Sequence, residues 1–564
     1  MNHPETTNSA PSEPDPTGTG SARPGETRAE DRGEDYDVVL IGGGFSGASL
    51  ALLLRRWLPS ARVLVVETRG EEQRKIGEVG EATVEVSGCF LHRVLGLYQH
   101  LAESHLPKHG LRYWFSASPS SSLAEMSEVG PREVPRLPTF QIDRAVLDEH
   151  LLELAVGEGT GVARPCRVVD VDLGWPQSRL TLEENGKERT VTARWVVDAS
   201  GRRTFLSRRL GLYQRTEEHP TSAIWARFQG VADMDGPAML GNDARAPKLQ
   251  ELLAARRLAT NHFCGYGWWC WAIPLSGGRT SIGLVYNKEL FELPGSGTKG
   301  ERFQHFVDSQ PGLRELAAGA QMEDDLMTYA HLPYRSSQYM DRGWALVGDA
   351  ASFIDPYYSP GLDHAAISVY ATARRIEEDL SGVLDDPALG AAIAHHNQIF
   401  QDSYDRWISA LYLGKYEIMG DAELTGSAFL FDTAMYYMGV VSPLYRNVET
   451  LQNPLFGPSQ PQSRIAHRVM QAFTRRLTKL ARFRRQVGTY GKRNRDYRVY
   501  AKSFGLGRGS LGPLLQGLAI WLRVEIECWG IRLRRGRVDT SSPVPTPTSK
   551  LSPEGQLRAE GPAA

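Results

Sequence analysis

Three stretches of the chain predict an α/β architecture. They are a Rossmann-type nucleotide-binding domain, a β-sheet substrate domain interleaved with it, and a helical C-terminal region. DYDVVLIGGGFSGASLALLLRRWLPSARVLVVE (35–67) reads strand, glycine turn, helix, strand. RVVDVDLG, RLTLEE and TVTARWVVDAS, between 167 and 200, alternate with the period of a half-buried strand. From 363 onward, DHAAISVYATARRIEEDL and LGAAIAHHNQIFQDSYDRWISALYLGKY carry the helical period.

The boundaries follow from composition. Residues 1–34 are rich in Pro, Ser, Thr, Gly and Glu, and 538–564 read the same way. Neither can bury enough apolar surface to offset its ordering entropy, so both are expected to be disordered. Between them we place an interleaved nucleotide and substrate unit at 35–380 and a helical region with a basic segment at 381–537. The chain is 41% hydrophobic overall, enough for a sizeable core, and the net charge of −2 points to no partner. No apolar run reaches the length of a membrane-spanning helix. The N-terminus lacks the pattern of a secretory signal. Cys89, Cys166, Cys264, Cys270 and Cys528 are scattered, without CxxC or His at ligand spacing, so no disulfide framework or metal site is expected and the location reads as cytoplasmic.

The first site is the glycine turn. Gly42, Gly44 and Gly47 form GxGxxG between an apolar strand and a helix. The first glycine allows the turn, the second lets backbone approach a pyrophosphate, and the third lets helix and strand pack closely. Glu67 ends the following strand, where a carboxylate takes ribose hydroxyls. Two distant segments favour FAD over NAD. WALVGDAASFIDP (344–356) places Gly348-Asp349 after an apolar strand, with Asp349 set for the ribityl chain. VVDASGRR (196–203) runs a strand into Asp198, Gly201 and Arg202. With FQIDRAVLDEHLL (140–152) added, the chain resembles the FAD-dependent monooxygenase superfamily, which implies a cofactor contact for Arg144. One dinucleotide fingerprint is present. The flavin is therefore expected to arrive reduced (FADH2) from a separate NAD(P)H flavin reductase.

The segment GWWCWAIP (267–274) narrows the resemblance. Trp269-Cys270-Trp271-Ala272-Ile273-Pro274 matches WxWxIP, and at this point the chain is similar to flavin-dependent halogenases of the tryptophan-halogenase type. That resemblance implies that Trp269 and Trp271 fence the flavin from the organic substrate. Reduced flavin and oxygen then oxidise a halide to hypohalous acid instead of hydroxylating the substrate. Phe353-x-x-Pro356-x-x-Ser359-x-Gly361 matches the family's FxxPxxSxG turn, implying halide near Ser359, Pro360 and Gly361, with Gly361 also beside the flavin. Pro360 has no N–H, which favours Gly361 as the donor. Tyr358 stands where tryptophan-specific members carry Glu, which argues against free tryptophan as substrate. Gly80-Glu81-Ala82-Thr83 matches the family's GEAT segment, and Lys108 lies where relatives place the catalytic lysine. The resemblance implies that Lys108 receives hypohalous acid and that Glu81 lines the passage; a structural carboxylate is the alternative for Glu81. The match spans roughly 36–380.

The expected reaction is halogenation, by chloride or bromide, of an electron-rich carbon in a secondary-metabolite substrate. The substrate is a small molecule or is borne on a carrier protein. The rival reading is a flavin monooxygenase that hydroxylates an aromatic or polyketide. Between Arg464 and Arg498 stand twelve Arg or Lys and one acid, Asp496. That face fits an acyl-carrier protein or an anionic membrane surface. The alternative is packing against acidic parts of the same chain. The amphipathic 511–535 that follows leans toward surface attachment. No nucleic-acid platform accompanies the charge.

Overall fold

The computed structural model describes residues 34–70, 79–119, 121–236, 254–323, 326–454 and 461–535. Apart from Glu34, which opens a strand, the extensions read as disordered lie outside the described residues. Two large sheets organise the fold.

The first sheet has eight strands. Its parallel centre runs Trp344–Leu346, Lys187–Asp198, Glu34–Ile41, Val63–Val66, Gly161–Ala163. Val38 to Ile41 and Val63 to Val66 are all buried, as expected where helices cover both faces of a parallel sheet. The helix Phe45–Trp57 starts directly behind the glycine turn. Gly42 has φ +109°, and a methyl there would meet the Ala199 carbonyl oxygen at 2.6 Å. A methyl on Gly47 would fall 1.9 Å from the Gly42 oxygen. Both positions therefore exclude any side chain.

The second sheet has nine strands, centred on Trp268–Pro274 between Thr260–Gly265 and Arg279–Asn287. Strand alternation splits the tryptophans. Trp269 and Trp271 face the core shared with the nucleotide unit, while Trp268 packs on the opposite face with Phe291 and Phe306. A methyl on Gly283, cross-strand from Trp271, would sit 2.2 Å from the Trp271 ring, so the indole lies directly over that glycine.

The C-terminal region is largely helical, with long helices at Gly361–Leu380, Asp386–Trp407, Ala422–Tyr436, Pro461–Gln486 and Leu511–Arg535. Asp385 and Asp421 cap two of them by accepting first-turn amides. The region is not a separate appendage. Its strand Arg498–Ala501 joins the second sheet, parallel to Ser127–Pro131, a pairing the arginine-rich sequence around RVYA does not reveal. No helix among the described residues is long and apolar enough to cross a membrane.

Much of the basic run is spent internally. Arg484 is fully buried between Asp421 and Glu423, Arg482 pairs with Glu417 and Arg476 with Glu525. Lys492 pairs with Glu527, Arg495 with Glu125 and Arg498 with Glu128. Acids from other segments thus pair with much of its C-terminal half, at Arg482, Arg484, Lys492, Arg495 and Arg498.

Candidate active site

The glycine turn, the GD turn and the tryptophan strand enclose a cavity of about 520 Å³. Gly42, Gly44, Glu67, Arg144, Asp349, Ser359, Pro360 and Gly361 all line it, together with Glu81, Trp269 and Trp271. Glu67 is held by the Gly43 amide at 2.7 Å and the Arg69 amide at 3.0 Å. Arg144 grips both oxygens of Asp148 and the Val79 carbonyl, which fixes its guanidinium at the cavity edge. Gly348 has φ +57°, and a methyl there would meet the Ser46 hydroxyl at 2.2 Å. The GD turn is thereby pressed against the first helix.

The turn after Pro356 is unusual. Tyr358 and Ser359 have φ of +81° and +58°, a left-handed pair of non-glycine residues that costs conformational energy. The Ser359 amide donates to the Pro356 carbonyl (2.8 Å), so it is already spent. Pro360 has no N–H. The amides of Gly361 and Leu362 open the helix Gly361–Leu380, so they have no acceptor within it. They are the anion-binding donors this turn offers.

Trp269 and Trp271 stand with ring centroids 5.8 Å apart. The Trp269 indole donates to the Tyr416 hydroxyl (3.0 Å), which donates to Asp355 (2.6 Å), and His219 also pairs with Asp355 (2.9 Å). The Trp271 indole donates to Ser281 (3.0 Å). His262, Tyr357 and Tyr113 extend the aromatic layer beyond Trp269. Burial holds His262 down to about 3, so this layer is uncharged at neutral pH.

Beyond the layer lies a second cavity of about 120 Å³. Lys108 lines it and does not line the first; the reverse holds for both tryptophans. Among the described residues Pro360 alone lines both. Lys108 directly follows the short strand Leu106–Pro107, pinned by its amide to the Thr139 carbonyl (2.8 Å). Its ammonium donates to the Thr83 carbonyl (2.8 Å) of the GEAT segment. Burial lowers its pKa to about 8, an effect that Glu85 and Asp363 partly offset. Glu81 behaves differently. Its carboxylate accepts from Arg227 at 2.9 Å, and burial, only partly opposed by that guanidinium, raises its pKa. It borders the larger cavity as half of a buried ion pair and does not reach into the cavity of Lys108.

These findings meet the comparisons with known proteins. Residues 35–242 match the family model described as FAD binding domain, and 249–416 match the one described as tryptophan halogenase. The chain belongs to the flavin-dependent halogenases. This halogenase is 26% identical to the flavin-dependent halogenase chlA of Dictyostelium discoideum over 449 residues, covering 73% of the chain and 70% of that protein. It is also 26% identical to the 1H-pyrrole-2-carbonyl-[peptidyl-carrier protein] chlorinase of Pseudomonas fluorescens, covering 67% and 83%. Its fold resembles that of halogenase PltM solved with phloroglucinol and FAD, with a TM-score of 0.64 at 19% identity over 81% of the chain and 94% of that structure.

The halogenase's larger cavity suits FAD. Gly42 leaves no room for a side chain at the turn that borders the cavity, and the same cavity is lined from Glu67 to Gly361. In the smaller cavity the structure adds residues that sequence reasoning missed. Asp363 accepts from the Ser87 amide (2.8 Å) and the Tyr436 hydroxyl (2.9 Å), and burial raises it to about 7. Glu85 accepts from Tyr437 (2.6 Å), and burial raises it too. Asp432 pairs with the buried Lys415 (2.7 Å) and accepts from Tyr358 (2.9 Å). Tyr358 is therefore tied to an aspartate from a distant helix. The one sequence signal was the acidic Asp363 just past the matched turn; nothing marked Asp432, Lys415, Tyr436 or Tyr437.

Proposed function

We propose that the halogenase forms hypohalous acid in the larger cavity and passes it beneath the tryptophan layer to Lys108, where an electron-rich ring is halogenated. The observation that carries this reading is the separation of the two cavities. The residues fit for flavin and halide line one, the buried lysine lines the other, and the halide turn at Pro360 is where they meet.

Bound reduced FAD supplies, with oxygen, the two-electron oxidation of chloride or bromide. Gly42, Gly44, Gly47, Glu67, Arg144 and Asp349 hold it. Gly361 and Leu362 hold the halide by their free amides, with Ser359 and Pro360 shaping the turn. Trp269 and Trp271, locked by Tyr416 and Ser281, exclude the organic substrate from the flavin side. Lys108, with a pKa of about 8, carries its proton at neutral pH and can also release it. Its ammonium protonates the oxygen of hypohalous acid as the halogen passes to the ring carbon. Water leaves, and the ring proton returns to the Lys108 amine. Glu85 and Asp363 keep a charged lysine tolerable in this cavity by their electrostatic attraction.

A cavity of about 120 Å³ is close to the ~150 Å³ that holds one benzene in an engineered protein core. The acceptor is therefore a single ring, or the ring end of a longer molecule. The name of the pyrrolyl-carrier chlorinase supports a carrier-borne substrate as readily as a free one. A separate flavin reductase supplies the reduced cofactor.

The test is single-turnover oxidation of the reduced-FAD enzyme by oxygen, with and without bromide, in the presence of a small thioether trap. Bromide-dependent sulfoxide is the expected product. Lys108→Ala should keep FAD bound and form trapped oxidant, yet halogenate no ring. Peroxide alone from the parent enzyme, whatever the halide, overturns the reading.

A further inference from the structure

We propose that the paired helices Pro461–Gln486 and Leu511–Arg535 form a docking face for an anionic lipid bilayer. Two observations place the helices side by side and parallel. Phe473 packs on Trp521 with ring centroids 5.9 Å apart, and Arg532 lies 4.4 Å over the Phe483 ring. The ion pair Arg476–Glu525 lies between these contacts.

Their outward sides are apolar and basic. Leu515, Leu522, Ile526, Trp529 and Leu533 recur at helical spacing along one stripe, each between 52% and 65% exposed. Ile465 and Val469 add to it near the start of the neighbouring helix. Among the described residues, sixteen large apolar side chains are exposed, and eight of them stand on these two helices. Single exposed apolar residues need no explanation, but a contiguous patch marks a binding surface.

The charge pattern selects the partner. Residues 461–486 contain no acid at all. The only acids of the second helix, Glu525 and Glu527, are consumed by Arg476, Arg484 and Lys492. Arg464, Arg468, Arg475, Lys479 and Arg485 remain exposed along the first helix. A face holding only apolar and cationic groups repels a second copy of itself. It complements a surface with anionic headgroups above an apolar interior. The first helix also reaches the substrate cavity, on its inward side, through the buried Met470.

The experiment is co-sedimentation of the full-length FAD-loaded enzyme with vesicles. One set is pure phosphatidylcholine and the other is phosphatidylcholine with about a third phosphatidylglycerol. Binding is expected to the second set only, and to weaken steeply between 0.1 and 0.5 M salt. Each arginine near an anionic surface contributes a factor of about five. Arg468→Ser with Arg475→Ser should therefore cut partitioning about 30-fold. Ile526→Glu with Trp529→Glu, both at exposed sites, should abolish it while FAD binding persists. Equal partitioning to neutral and anionic vesicles overturns the proposal, as does no binding to either. A dimer seen by sedimentation velocity that dissociates in Ile526→Glu/Trp529→Glu assigns the face to a second copy instead.

Discussion

Replacing Lys108 by methionine should cost the enzyme its chemistry and stabilise its fold, and the size of that trade follows from the site. The ordinary lysine pKa is 10.5, whereas burial brings that of Lys108 to about 8. Below pH 8 the ammonium is charged in both folded and unfolded chains, and the fold carries the full burial penalty. Between about 8 and 10.5 the folded lysine is neutral while the unfolded one is still charged, so the penalty fades as pH rises. A gap of roughly 2.5 units at about 1.4 kcal/mol each makes the penalty about 3 kcal/mol at pH 7 and below about 1 kcal/mol at pH 10. Methionine removes it but leaves the Thr83 carbonyl without its donor, which costs about 1 kcal/mol. The net expectation is a gain of about 2 kcal/mol at pH 7 that vanishes by pH 10. The assay is urea unfolding of parent and variant, both without FAD, at pH 7, 9 and 10. A variant less stable than its parent at pH 7, or a difference that does not change with pH, would refute the claim that Lys108 is held charged against its surroundings.

Three further outcomes are expected. Glu128 lies buried among Arg112, Arg256 and Arg498, and Arg112 above all outweighs burial to hold its carboxyl down at about 2. Glu128→Gln should cost about 3–5 kcal/mol at pH 7, and the difference should shrink as pH falls from about 4.5 toward 2 in an acid-denaturation series. Gly283→Ala would drive a methyl to 2.2 Å from the Trp271 ring and 2.5 Å from the Trp225 Cβ. A loss of at least 1–3 kcal/mol and an altered near-ultraviolet circular dichroism spectrum should follow. Glu67→Ala should weaken FAD binding about 10- to 100-fold in a fluorescence titration, the range for a lost charge-assisted hydrogen bond.

The legible parts of the molecule were those whose chemistry is local. Gly47 is required by a contact with the Gly42 oxygen made within one strand-turn-helix unit, and such contacts leave a sequence signature; the limit on Gly42 comes from Ala199, at the end of a distant strand. The tryptophan strand was legible as a pattern, but alternation had to be seen in place to separate Trp268, a core residue, from Trp269 and Trp271. The turn after Pro356 was legible, and Gly361 was named in it as a donor, but Leu362 was not. Only the folded backbone reveals that the Ser359 amide is already committed to Pro356. The cavity around Lys108 was the least legible. Asp432, Lys415, Tyr436 and Tyr437 arrive on helices whose apolar period reads the same whether a face borders core or cavity. The internal pairing of the basic run was illegible for a related reason: its acidic partners, from Glu125 to Glu527, are scattered over 400 residues and meet it only through packing.

The division of the two cavities has a consequence for how such enzymes diversify. Every residue lining the smaller cavity from Trp407 onward belongs to the C-terminal helices, the end of the strand Arg498–Ala501 or the loop through Phe504, and none of these lines the larger one. The smaller cavity is thus built jointly: Lys108 and fourteen other lining residues come from before residue 364, and the remaining twelve from Trp407 onward. Drift or recombination downstream of residue 400 can reshape one wall of the smaller cavity without touching any residue that lines the larger one. An engineer seeking new acceptors would randomise Phe429, Thr433, Met470 and Phe504 and leave the first 360 residues alone.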